Sequence, residues 1–314
     1  MTEANFARLR ILHRENGELV DRTILPPDDP APNFATRTVC ARVNSLSPFV
    51  LALAAPGQST SGRLLNISTR LRVGTGESAL IGGFIITGTE AKKVIIRALG
   101  PSLADSGVSG ALQDPTLQLF DEKGSIAFND NWKQDQQGAI KATGIPPSRA
   151  AEAAIVRTLA PGNYTAVVKG KNDGIGVGLV EVYDLAQAAE RELANISSRG
   201  FVDTGDNALI GGFIVGGDTR VVVRALGPSL GDQGVAGALS DPTLELVNAD
   251  GMRVRSNNDW KSGQQAELIA IGIQPTRDKE AALVQALPAG NYTVIVRGVS
   301  NTSGVGLVEV YNVQ

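Results

Sequence analysis

Arg97-Ala-Leu-Gly-Pro-Ser-Leu103 returns as Arg224-Ala-Leu-Gly-Pro-Ser-Leu230, and Ala79-Leu-Ile-Gly-Gly-Phe-Ile85 returns as Ala208-Leu-Ile-Gly-Gly-Phe-Ile214. Working outward, residues 66–185 recur as 195–313 with more than half the positions identical. Asn66-Ile-Ser answers Asn195-Ile-Ser, Asp114-Pro-Thr-Leu117 answers Asp241-Pro-Thr-Leu244, and Trp132 answers Trp260. Gly162-Asn-Tyr-Thr165 matches Gly290-Asn-Tyr-Thr293, and Gly176-Val-Gly-Leu-Val-Glu-Val-Tyr183 matches Gly304-Val-Gly-Leu-Val-Glu-Val-Tyr311. Self-similarity at this level marks a duplicated structural unit.

Within a copy, short apolar runs bounded by turn residues predict strands at 79–87, 93–98, 116–120, 125–128, 153–159, 164–169 and 177–183. About seven short strands per copy suit a sandwich. Glu122-Lys-Gly124 and Ala249-Asp-Gly251 read as hairpin turns, and Gly100-Pro101 stops a strand because proline has no amide donor. The polar stretch between Trp132 and Glu152 has room for a short helix. Ahead of the repeats, Ala7 to Arg14 and Glu18 to Leu25 flank Asn16-Gly17, a hairpin signal. Thr36 to Val43 and Phe49 to Ala54 read as a second hairpin. Four strands make a poor independent core. This segment is therefore expected to pack on the first repeat, to end a larger sandwich, or to complete a sheet in another molecule. The expected architecture is all-β: a β segment at 1–56, then tandem jelly-roll-like β-sandwiches at 57–185 and 186–314.

Composition removes several function classes. A net charge of −3 with scattered Lys and Arg leaves no electrostatic footprint for nucleic acid. Cys40 is the single cysteine, which excludes an internal disulfide framework and a cysteine-rich zinc site; it is read as a small buried apolar residue. His13 is the single histidine and lies in a strand-like run, and no nucleophile elbow is present, so a His-based hydrolase is not expected. No apolar run is long enough to span a membrane. The N-terminus lacks the basic-then-apolar plan of a signal peptide, so the sequence reads as a fragment or a late start of an exported chain.

The runs Leu65-Asn-Ile-Ser-Thr-Arg70, Val73-Gly-Thr-Gly76, Leu80-Ile-Gly-Gly-Phe-Ile85, Arg97 to Leu103, Asn129-Asp-Asn-Trp132 and Leu179-Val-Glu-Val-Tyr183 resemble modules near the C-termini of large secreted or surface proteins of environmental bacteria. From Asp114 through Asn129-Asp130 to Gly162-Asn-Tyr-Thr165, each module is also similar to the bacterial pre-peptidase C-terminal type of β-sandwich. The segment from Leu12-His13 through Val39-Cys40 to Ser45-Leu-Ser-Pro-Phe49 resembles the end of another secreted-protein module. These resemblances imply an extracellular or cell-surface location and an accessory role without catalysis.

Several residues are candidates for chemistry, each with a plainer alternative. Asp114, Asn129, Asp130 and Asn131, with Asp241, Asn257, Asn258 and Asp259, supply the oxygen ligands that Ca²⁺ prefers, but Asn and Asp also cap turns. Trp132 and Trp260 are candidate stacking platforms for a sugar ring, against the alternative of one core plug per sandwich. Arg97 and Arg224 lie in apolar strands, and Glu152, Glu181, Glu280 and Glu309 recur in register. A structural Arg–carboxylate pair holding the two sheets together is preferred over a general acid/base pair. Gly74-Thr-Gly76 and Gly82-Gly83 lack a phosphate-loop frame and are read as strand bulges. The expected function is a non-catalytic structural or adhesive module without a required cofactor, joining itself or neighbouring surface domains through strand addition, with glycan binding as the alternative.

Overall fold

The computed structural model describes residues 9–15, 18–24, 36, 38–42, 49–53, 64–185 and 193–313. Two compact units result, Met1–Ser59 and Thr60–Gln314. In the first unit, β1 (Leu9–Glu15) and β2 (Glu18–Asp21) form the hairpin that Asn16-Gly17 predicts, with Glu15 opposite Glu18. Among the described residues, 38–42 and 49–53 do not pair with each other, and the turn 43–48 of the second predicted hairpin lies outside the described residues. β3 (Phe49–Leu53) pairs with β1, and the chain at 40–42 bonds to residues 22–24 instead. Cys40 is half-buried, a correction to the expected full burial.

The second unit holds both repeats. The first contributes β4 (Leu64–Val73), β5 (Leu80–Ile86), β6 (Lys92–Leu99), β7 (Pro115–Asp121), β8 (Gly124–Asn129), β9 (Ala153–Leu159), β10 (Gly162–Gly170) and β11 (Gly176–Asp184). The second contributes β12 (Leu193–Val202), β13 (Leu209–Val215), β14 (Thr219–Leu226), β15 (Pro242–Asn248), β16 (Arg253–Asn257), β17 (Ala281–Leu287), β18 (Gly290–Gly298) and β19 (Gly304–Asn312). In the first repeat, β4-β11-β6-β9 form one four-stranded sheet and β5-β10-β7-β8 the other, the strand order of a jelly roll. The second repeat pairs its strands identically. Seven strands per repeat were expected and eight are seen; the addition in the first is β4. Short helices follow β6 (α1, Pro101–Asp105) and lie in the 132–152 stretch (α2, Gln137–Ala142), with counterparts α3 (Pro228–Asp232) and α4 (Gln265–Ile271).

The jelly rolls are not separate bodies. β13 pairs antiparallel with β4, with Ile210 opposite Arg70, and β12 pairs with β5, with Leu193 opposite Ile86. Each four-stranded sheet thus runs on into a sheet of the other repeat. Parallel bridges between β4 and β12, at Leu64 with Leu193 and Arg72 with Phe201, tie the sixteen strands into one hydrogen-bonded system. The exchange is reciprocal, so the repeats are related as subunits of an isologous dimer would be.

Alternation explains what is buried. Along β5, Leu80, Gly82, Phe84 and Ile86 turn inward. Phe84 stacks on Tyr164 at 5.5 Å and Phe213 on Tyr292 at 5.6 Å. One continuous core includes Ile67, Leu71, Phe84 and Ile96 with Phe213, Val223 and Val294, so burial passes through the seam without a break. Gly83 and Gly212 are not bulges. A Cβ at Gly83 would collide with Ser197 Oγ, and one at Gly212 with Ser68 Oγ, so glycine is what lets the strands of the two repeats approach across the seam.

Candidate functional site

Most of the predicted site residues hold the scaffold. Trp132 and Trp260 are 4% and 5% exposed, and their indole N–H groups donate to the carbonyls of Arg149 (2.9 Å) and Arg277 (3.1 Å). They fill small cores with Ile95, Ile140 and Val156, and with Val222, Leu268 and Val284. Rings this deeply buried offer no face to a sugar, which corrects the stacking-platform expectation.

Glu152 does not pair with Arg97. It is fully buried and accepts bonds from the Gly100 and Ser102 amides (3.2 and 3.0 Å), the Ser102 hydroxyl and the Arg149 amide (3.1 Å). Glu280 repeats the pattern on Gly227, Ser229 and Arg277. The Gly-Pro-Ser turn is thus folded around a buried carboxylate that satisfies backbone donors. Arg97 instead grips Glu181, with Nε at 2.9 Å, and donates to the Ile145 carbonyl at 2.8 Å; Arg224 does the same with Glu309 and Ile273. Arg97 and Glu181 face each other on adjacent strands of one sheet, so the pair fixes β6 against β11 rather than sheet against sheet. Tyr183 completes this cluster through a 2.9 Å bond to Glu181. Burial, then the Glu181 charge, pushes its phenol up to about 12, against the opposing effect of Arg97.

The calcium candidates are in part engaged by protein groups. Asn129 is spent: its Oδ1 accepts from the Ala154 amide and its Nδ2 donates to the Asn131 carbonyl. Between Asp130 and Asp114 sits the Lys171 ammonium, 2.6 Å from Asp130 and 3.9 Å from Asp114. In the second repeat Asp241 faces Lys279 at 3.4 Å, and Asp259 accepts from Asn258 at 3.2 Å. Asp114 Oδ1, Asp130 Oδ1 and Asp241 Oδ1 are buried without a hydrogen-bond partner, but among the described residues no group of three acidic, His or Cys side chains could hold a metal.

Sequence reasoning missed a cleft of about 240 Å³ between the repeats. Arg70 of β4, Arg297 of β18, Ser106, Ser109 and Asn207 line it, with Val177 and Ile210 among its apolar residues. Its first-repeat wall is the turn after α1, where Gly107 and Gly110 take φ of +81° and +66°, a left-handed conformation that glycine adopts without strain. That wall is anchored, because the Val177 amide donates to the Gly110 carbonyl (2.8 Å) and Val108 packs on the Leu103, Ala111 and Val177 cluster. Among the described residues neither Arg70 nor Arg297 has an ion-pair partner, whereas Arg97, Arg149, Arg224 and Arg277 each hold a carboxylate. No repeat signal marks the cleft: four of its residues differ from their counterparts, Ser106 against Gln233, Ser109 against Ala236, Asn207 against Ser78 and Arg297 against Lys169, while Arg70, Gly107, Val108, Val177, Gly205, Ala208 and Ile210 are matched by identical residues.

No protein-family model matches the chain, the pre-peptidase C-terminal type included, and no curated protein matches it. Among solved structures, one from the Sulfolobus Turreted Icosahedral Virus aligns at 9% identity over 78% of this chain and 90% of its own, with a TM-score of 0.23. The tandem CBM51 modules of a family 98 glycoside hydrolase from Streptococcus pneumoniae align at 8% identity over 74% and 84%, also at 0.23. Scores at this level carry no inference about ligand or activity. Among the described residues, no helix is long and apolar enough to cross a membrane.

Proposed function

We propose that the chain is a non-catalytic module of an extracellular or cell-surface bacterial assembly, and that it acts as a rigid binding unit through the cleft between its repeats. The observation that carries this reading is the contrast in how polar side chains are used. Glu152, Glu280, Asn129 and both tryptophans are bonded to backbone, while Arg70 and Arg297 face a recess without an ion-pair partner among the described residues. Convergent polar groups beside apolar wall residues are the usual make-up of a binding pocket.

Strand addition is less well supported at the outer edges. On β9 the Ala154 amide is taken by Asn129, and Gln136 bonds both the amide and the carbonyl of Val156 at 2.9 Å. Arg157 donates to the Ile126 carbonyl of β8. Side chains that cap an edge in this way oppose pairing with another chain.

The test is retention of the chain on a panel of immobilised bacterial and host polysaccharides, comparing the native sequence with Ser109→Trp, which fills the cleft. Binding that is lost in the folded variant supports the reading. Binding that persists in Ser109→Trp, or turnover of a bound polymer, overturns it.

A further inference from the structure

We infer that the cleft between the repeats recognises a carboxylated sugar, a uronic-acid residue of an acidic polysaccharide; this rests on the cleft being the binding site. Two guanidinium groups, Arg70 and Arg297, line one recess without a carboxylate to neutralise them among the described residues. Guanidinium forks match carboxylate geometry with paired N–H donors, and an anion between two cations relieves their mutual repulsion. The hydroxyls of Ser106 and Ser109 and the amide of Asn207 add donors and acceptors of the kind that sugar hydroxyls bond.

Val177, Ala208 and Ile210 supply an apolar wall. A bare phosphate or sulfate would leave that wall unused, whereas the C–H face of a pyranose covers it. Size agrees: about 240 Å³ lies below the ~300 Å³ at which sites for drug-sized ligands begin, and suits one ring rather than an extended peptide. Both cations also stand on different repeats, so the site exists only in the fused pair. At the pseudosymmetric position Arg199 replaces Arg70 but is already engaged, and Ala236 stands for Ser109, which removes a hydroxyl.

Titration calorimetry of the full chain with galacturonate oligomers tests the assignment, alongside the same oligomers reduced at the carboxyl to neutral sugars. Expected are at least tenfold weaker binding after reduction, at least tenfold weaker binding in Arg70→Gln and in Arg297→Gln, and no change in Arg199→Gln. Affinity should also fall as salt rises. Equal affinity for the reduced oligomers, still lost in Ser109→Trp, overturns the acid requirement and leaves the cleft reading standing. Uronate binding unaffected by Arg70→Gln, Arg297→Gln and Ser109→Trp overturns both, and no uronate binding overturns the ligand class.

Discussion

Position 71 in the first repeat and position 200 in the second are equivalent, yet one is leucine and the other glycine. They meet at the seam, where a Cβ on Gly200 would collide with Leu71 Cδ2, so the leucine fills the space that the glycine leaves. Two leucines would clash there and two glycines would leave a hole. An isologous contact between identical modules must complement itself, whereas a fused pair is free to diverge into knob and socket. A second difference lies deeper. The first repeat buries a Lys92–Asp184 ion pair, and the second has Thr219 and Asn312 at the same positions. The seam hydrogen bond between Thr69 Oγ1 and Ser198 Oγ, 2.6 Å and buried, keeps hydroxyls on both sides. The interface has thus stayed symmetric in polarity and become asymmetric in volume.

Copying the first repeat onto the second should break the seam most severely. Gly200→Leu is expected to cost about 3 kcal/mol or more, since overpacked cores have little room to yield. Leu71→Gly should cost a similar amount through its cavity. The exchange Leu71→Gly with Gly200→Leu should recover much of both losses in urea unfolding. Additive losses in that cycle would sink the idea of complementary volume. Next in size is Asp184→Asn, which removes the negative charge paired with the buried Lys92 ammonium and should cost about 3 kcal/mol. Adding Lys92→Thr reproduces the second repeat's pair and should return stability to within about 1 kcal/mol of the native chain. A double variant as weak as the single would mean that the two repeats surround these positions differently.

The strand list and the jelly-roll class were legible because alternation and Gly-bounded runs speak for each strand by itself. β4 was not: Ile67, Leu71 and Val73 do alternate with Asn66, Arg70 and Arg72, but the buried Thr69 breaks the apolar face and polar residues dominate the run. The exchange between repeats was invisible for a stronger reason. Either copy, read alone, explains its own apolar faces, and nothing in that pattern says that the free edge of β4 belongs to β13. The expected Arg–carboxylate pairs form between Arg97 and Glu181 and between Arg224 and Glu309, but do not include Glu152 or Glu280. Glu181 faces Arg97 by register on β11, while Glu152 is held by amides, which leave no mark in a sequence. The cleft combines one wall from each copy and could not be read from either.

Glu152→Ala and Glu280→Ala compare the same buried acid in the two repeats. Each removal leaves amides at Gly100 and Ser102, or at Gly227 and Ser229, without their acceptor, and each should cost about 2 kcal/mol. Unequal costs would show that the two turns no longer depend on their acid equally.

The smallest expected effect concerns the tyrosine clusters. Tyr183→Phe and Tyr311→Phe each remove a hydroxyl that donates to a glutamate at 2.9 Å, worth about 1 kcal/mol. Their difference should stay small, although Arg224 lies closer to the Tyr311 hydroxyl (3.0 Å) than Arg97 does to that of Tyr183 (3.4 Å). Alkali separates this contribution from packing. The Tyr183 phenol is held at about 12 in the fold against 10 when unfolded, so its neutral form stabilises the native state fully below pH 10. As pH rises from 10 toward 12 the unfolded chain loses its proton first, and that stability disappears. Urea unfolding across this window should therefore show a fall in stability that is shallower in Tyr183→Phe. An equally steep fall in the variant would mean that the alkaline loss comes from other groups and that the cluster does not shelter its phenol.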